Sequence, residues 1–534
     1  MTATFLVLLA SGGLLAPPMA PAQKAVQTAP QPVRLTPYPQ AVATFYTRGD
    51  AKIPAALARE IGTAKGSDGA TWTASGKGVW REDPAAAPAD RKRYFSSRRW
   101  IADGPVLSLA PGAEGSMWVR TQGGVSHIEF RRMTLAAKAA EFETRVETRH
   151  NRHGMVADSV LLTPGDLSTN RTRSSDNDGL WTAMYGAAEC YRYAVTKSRE
   201  AEQRAERSVR VLLKLEEITR IPGLPARSYL LPDEPRPRDG IWNPAADGSL
   251  IWKADTSSDE IVGHYYLFAI AWDTLKSPEL RKQVAAVTRR ITDHILNNNV
   301  TLIDFHGQPT YWGRWDREYF ESERGKPDSP LNAVEILSFL KTAHHITGDP
   351  RYQAEYLRLA HQEGYAKITA QYKELRETIN YSDEELAMLS FYPLLQYETD
   401  PKLRTLYLAG LDQWWENIER EKNPLWNFIY LASKPGKPAS ITDAVWTLQR
   451  IPMDLRHWAV ENSGRPDLEF EGGADRFGRR QTRTLLPADE RPVMKWNGNP
   501  FRVDGGGNGG SEDDGAFYLL PYWMGRYHKF LVGE

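Results

Sequence analysis

SSDEIVGHYYLFAIAWDTL, residues 257–275, opens on two acids and continues as an apolar, aromatic run with no face left for water. A helix that is apolar nearly all round is a buried helix. The same form occurs six times between Asp176 and the C-terminus. The other copies are SSDNDGLWTAMYGAAECYRYAV (174–195), DSPLNAVEILSFLKTAHHIT (328–347), NYSDEELAMLSFYPLLQYE (380–398), NPLWNFIYLASK (423–434) and SEDDGAFYLLPYWMGRYHKFL (511–531). Between them lie stretches charged on one face, such as 198–219 and 277–299, which predict helices set between core and solvent. Residues 350–370, 401–421 and 439–452 supply three more, and 134–149, with Thr134 as its N-cap, supplies the first. Six buried helices alternating with six half-buried ones predict a mainly α chain, an (α/α)6 barrel over 134–534. The acidic starts of the buried helices would then gather at one mouth.

Lys+Arg and Asp+Glu balance at 67 each in 534 residues, so net charge points neither to nucleic acid nor to an anionic membrane surface. Residues 1–22 carry an apolar run, Phe5 to Leu15, and a small-x-small ending, Ala20-Pro21-Ala22. This pattern predicts an export signal and a periplasmic or secreted protein. No other apolar stretch is long enough to span a bilayer. Residues 23–50, rich in Pro, Ala and Gln, predict a flexible linker. Cys190 is the only cysteine and lies mid-helix, so it reads as core filler and excludes an internal disulfide and a thiolate zinc cluster.

Within 51–133, Asp68-Gly69-Ala70-Thr71-Trp72 with Gly78-Val79 recurs as Glu114-Gly115-Ser116-Met117-Trp118 with Gly124-Val125, every match at the same offset. Short strands around a Gly turn and a Trp read as blades, and they resemble sensor-type propeller repeats of pattern DGxxWxxTxxGV. Two copies cannot close a ring, so a small N-terminal β module is expected, without chemistry.

The alternation of helices resembles the six-hairpin glycosidase superfamily, whose (α/α)6 barrels act on sugars; some polysaccharide lyases share a similar toroid. The pair Asp513-Asp514 is similar to the paired aspartates of some barrel hydrolases. The resemblance spans 134–534 and implies a carbohydrate-active enzyme with a poly- or oligosaccharide substrate, although a fold alone does not give a reaction.

Glycoside hydrolysis needs one carboxyl group kept protonated and another ionised across the scissile bond. Asp259, Glu260, Asp513 and Asp514 are the catalytic candidates. Asp176, Asp178, Trp181, His264, Tyr265, Trp312, Arg314, Trp315, Asp383 and Glu384 are candidates for binding the sugar. Each acid on its own also suits an N-cap and the helix dipole. Two or three acids at one start exceed what a cap needs. The long connections 150–175, 221–256, 301–328 and 454–510 would line the same rim, bringing Trp242, Trp252, Trp312, Trp315 and Trp496. DGGGNGGSEDDG (504–515) lacks the ending of a phosphate loop and reads as a lid or tight turn.

Two other readings stand beside this one. A lyase performing β-elimination on a uronate glycan would draw on His150, Arg152 and His153, with His264, Tyr265 and Arg314. A non-catalytic glycan-binding envelope protein would use the acids as caps alone. No cofactor is expected, although Ca²⁺ suits an acidic rim.

Overall fold

A sheet begins where a loose linker was expected. The computed structural model describes residues 30–47, 49–376, 378–434 and 439–533; the expected export signal at 1–22 lies outside them. Val33–Arg34 pairs in parallel with Leu531–Val532, near the far end of the sequence. Tyr38–Tyr46 pairs antiparallel with Val125–Met133 along all 9 of its residues.

The 51–133 repeat is realised as two hairpins, Thr71–Ala74 with Gly78–Glu82 and Met117–Thr121 with Val125–Met133. Each hairpin forms the middle of its own four-stranded antiparallel sheet. The two sheets share one core, in which Trp72 stacks on Phe95 and touches Phe130. They therefore pack as layers on each other, as sheets with one apolar face each must, rather than standing as separate blades.

The expectation of a mainly α chain folded as an (α/α)6 barrel is overturned. The structure is 45% helix and 20% strand, and its helices do not resolve into six inner and six outer members. One reason is that connections read as loops are sheet. Asn170–Arg173, Asp158–Leu161, Gly505–Glu512 and Arg456–Val460 lie side by side in that order. The glycine run makes this possible: Gly506 has φ 84°, and a Cβ on it would sit 1.9 Å from the Trp458 carbonyl oxygen. The second reason is that two of the half-buried helices break. Residues 350–370 form a helix only at Pro350–Leu357, pass through a π-turn at Arg358–Gln362 and restart at Tyr365–Ile368. The helix expected at 134–149 ends at Arg145 and runs on as a π-turn to His150.

The six apolar segments do form helices, at Asp178–Thr196, Ser258–Thr274, Ser329–Thr347, Tyr381–Tyr397, Pro424–Ser433 and Ala516–Tyr527. Their side chains enter one continuous core, Cys190 among them. Among the described residues no helix is long and apolar enough to cross a membrane.

A buried charge cluster fastens the N-terminal sheets to the helices. Asp489 accepts from Arg93 Nη2 at 2.8 Å and from Arg450 Nε at 2.9 Å. Its carbonyl oxygen accepts from Arg99 and from the Trp100 indole. Burial pushes the Asp489 carboxyl up, but the Arg450 and Arg93 guanidiniums overcome it and hold it at about 2. Asp489→Asn keeps the shape and leaves two buried cations short of charge. A loss of about 3–5 kcal/mol is expected in urea unfolding. Acid should act in the same direction. Because the folded pKa is depressed, the stabilisation is complete above the ordinary 3.8 and disappears as pH falls towards about 2. An unfolding midpoint unchanged in Asp489→Asn would remove the cluster from the fold's stability.

Candidate functional site

The acidic helix starts open on a cleft of two chambers. The larger, about 860 Å³, is lined by Asp259, Trp312, Asp328, Arg376, Asp383 and Asp475 among others. The smaller, about 580 Å³, is lined by His150, Asp158, His457, Lys495, Asp513 and Asp514 among others. Phe477, Arg479, Asn497 and Asn499 face both chambers and form the wall between them.

Local structure places each acid. Asp259 and Asp383 lie in the first turns of their helices. The strand Gly505–Glu512 carries Asp513 and Asp514 to the mouth of the helix Ala516–Tyr527. Between them Gly515 turns the chain with φ 87°, against the Phe142 ring, where a Cβ would press at 3.1 Å.

Lys495 organises the smaller chamber. Its ammonium is 2.8 Å from Asp514 and lies 4.3 Å from the centre of the Trp181 ring. Burial works against its charge, but Asp514 and Asp513 hold it protonated. Burial also raises both aspartates. For Asp514 the Lys495 charge overcomes this and the carboxyl stays below its usual range. For Asp513 burial prevails, with the charge of Asp514 adding to it, and the carboxyl is raised. Two neighbouring acids are thus driven apart in acidity. His457 Nε2 lies 3.8 Å from Asp513.

Asp259 accepts from Ser257 Oγ at 2.8 Å and from Asn177 Nδ2 at 3.4 Å. Below it, fully buried Glu385 has both carboxyl oxygens without a hydrogen-bond partner among the described residues. Burial raises its pKa well above the ordinary value. The charge of Asp259 adds to that rise and the charge of Lys495 opposes it. In the larger chamber Arg376 pairs with both Asp328 and Asp383. The positive charge that crowded acids require comes here from Arg376 and Lys495.

Several expected site residues lie elsewhere. Glu260 is fully buried, its carboxyl 2.6 Å from Ser257 Oγ, and is raised by burial to about 7. Asp178 is fully buried against Arg152 Nη2 at 2.8 Å and Ser228 Oγ, so Asp178 and Arg152 lock each other. Asp176 pairs with Lys253, and His153 with Glu234 at 3.1 Å. The His264 ring nitrogens lie against the carbonyl oxygens of Glu260 and Leu212. Tyr265 bonds Thr292, and Glu384 accepts from Tyr372 Oη at 2.6 Å. Arg314 pairs with Asp316 at 2.8 Å, and buried Trp315 donates to Glu335 at 2.7 Å. Trp252 and Trp496 are buried too, whereas Trp312 is 46% exposed on the larger chamber. Trp181 is a platform for Lys495 rather than for a ligand. His150 lines the smaller chamber, its Nδ1 3.1 Å from the Ala157 carbonyl oxygen and its Nε2 3.6 Å from Glu512.

The sequence reading missed Lys495, His457, Phe477 and Arg479. All four come from the long connection 454–510, whose length was the one available signal. Neither a protein-family model nor a curated protein matches this chain.

The Lys495 arrangement is testable by itself. Lys495→Met should raise the Asp514 pKa, read by infrared titration of labelled aspartate carboxyls, and Lys495→Arg should bring it most of the way back. An unmoved Asp514 in a folded Lys495→Met protein would contradict the assignment.

Proposed function

We propose that this chain is a carbohydrate-active enzyme, a glycoside hydrolase working at the two-chamber cleft. One observation carries the reading: adjacent buried aspartates, one biased towards the acid form and one towards the anion, open into a cleft with exposed rings. Those rings are Phe477, 65% exposed, and Trp312. Flat rings at the wall of a polar cleft suit the apolar faces of sugars, and a carboxyl kept protonated suits a leaving glycosidic oxygen.

In this reading Asp513 is the general acid. Its proton passes to the glycosidic oxygen as the bond to the anomeric carbon breaks and the bonding electrons stay with that oxygen. Asp259 is the general base, taking a proton from the water whose oxygen bonds the anomeric carbon. Proton return from Asp259 to Asp513 through solvent resets the pair. Lys495 and Asp514 hold the acidity of Asp513 and do not exchange protons with the sugar. Export, expected from residues 1–22, would bring such an enzyme to extracellular glycans.

A second reading is β-elimination. His457, beside Asp513 and lining the same chamber, is the observation in its favour. Of the residues such chemistry would draw on, Arg152, His153, His264, Tyr265 and Arg314 are engaged with other partners, and His150 lines the smaller chamber.

A panel of polysaccharides assayed for new reducing ends and for ultraviolet-absorbing unsaturated ends separates the two. Hydrolysis should give reducing ends without the ultraviolet signal. Asp513→Asn and Asp259→Asn should each lower kcat by about 10²–10⁴-fold. The rate should fall as pH rises through the raised pKa of Asp513, because the acid must carry its proton. If both variants keep full activity, the assignment is wrong; unsaturated ends as the only product would favour elimination.

A further inference from the structure

Most charges around the cleft are matched. Arg376 serves Asp328 and Asp383, Lys495 serves Asp514, and Arg149 binds Glu512 through two nitrogens. Three arginines on the walls are not. Among the described residues no carboxylate forms an ion pair with Arg324 or Arg476 in the larger chamber, or with Arg502 in the smaller.

Arg502 is the one built into the fold. Its guanidinium lies flat on Gly505, where a Cβ would come within 2.6 Å of Cζ and 2.7 Å of Nε. The site therefore needs glycine there. Arg502 Nε is shut off from solvent and has no partner, and no side-chain hydrogen bond to another described residue satisfies the rest of the group. Arg479, on the wall shared by the chambers, is close enough for like charge to matter. Burial first, and Arg479 next, lower the Arg502 pKa. Arg479 commits its Nε to Asp475 at 2.9 Å, and both terminal nitrogens remain without a partner among the described residues.

Burial and the like charge of Arg479 outweigh the charges of Asp475 and Asp504 at Arg502, which leaves it able to take a further anion. Forked donors match the paired oxygens of a carboxylate or a sulfate. We propose that Arg502 and Arg479 form a subsite for the anionic group of an acidic sugar, beside Asp513 and Asp514. This rests on the glycan reading above and adds the substrate class to it: a saccharide bearing carboxylate or sulfate groups. Asp514 and Glu512 are neutralised by Lys495 and Arg149, and Asp513 is held towards its neutral form.

The full chain should be tested by affinity electrophoresis with oligogalacturonate, sulfated dextran and neutral dextran, at low and high salt. Acidic glycans should retard it and dextran should not, and salt should weaken the effect. The carboxylated and sulfated probes show which anion is preferred. Arg502→Ala should weaken the retardation about tenfold or more, and Arg502→Lys, which keeps the charge and loses the fork, by less. Gly505→Ala should also weaken it, by displacing the guanidinium. Arg210→Ala, on an exposed helix face, should change nothing. Equal retardation by dextran, or full retardation of Arg502→Ala, overturns the subsite. If the protein cleaves neutral glycans and Arg502→Ala cleaves them equally well, the subsite fails and the hydrolase reading stands. If it neither binds nor cleaves any glycan, the glycan reading itself fails.

Discussion

An ammonium group removed from water costs several kcal/mol unless charge and dipoles replace the lost solvent. Lys495 is largely buried, and its replacements come from two distant parts of the chain: the Trp181 face, and the adjacent carboxyls of Asp513 and Asp514. These parts can meet only if the strand Gly505–Glu512 crosses Trp458 and ends at the mouth of the last apolar helix. The same strand seats Arg502 on Gly505. One buried cation thus fixes the course of the segment that makes the smaller chamber, and removing either partner would leave an unpaired charge inside the protein.

Much of the helical part was legible because burial leaves a plain mark. A segment such as 257–275, apolar on every face, has few alternatives to a buried helix, and all six such segments became helices. The arrangement of the remaining chain was not legible. The glycines of 504–515 read as a lid or tight turn, and glycine does weaken a strand locally. Here they permit one, because Gly506 and Gly509 leave room for Trp458, whose position in sequence gives no hint of that contact. Strand pairing between 158–161, 456–460 and 505–512 is a long-range fact with no short-range signature, and it undid the barrel.

The acids show the same limit at single residues. Asp178 and Asp513 each stand at the start of an apolar helix, and each is removed from solvent. Asp178 faces Arg152 and Ser228, which complete it as part of the core. Asp513 faces a cavity and a half-exposed imidazole. Spacing cannot separate the two cases, because the deciding groups lie tens of residues away, outside the helix. Charge clustering could say that these starts mattered together, and Asp259, Asp383, Asp513 and Asp514 do converge. It could not say which member a cation had already taken.

The buried acids also set the conditions under which the cleft can hold its shape. Burial lifts Glu260 to about 7 and Glu384 to about 8, so each is neutral in the folded chain across the acid range. An unfolded glutamate ionises near 4.5. The folded state therefore holds extra protons between that value and the raised ones, and its stability declines as pH climbs through that interval. Asp489 works in the opposite sense and demands a pH above about 4. The two constraints favour mildly acidic conditions. Such conditions also favour the protonated form of Asp513, so the buried glutamates and the acid in the cleft depend on the same cause: carboxyl groups held out of water.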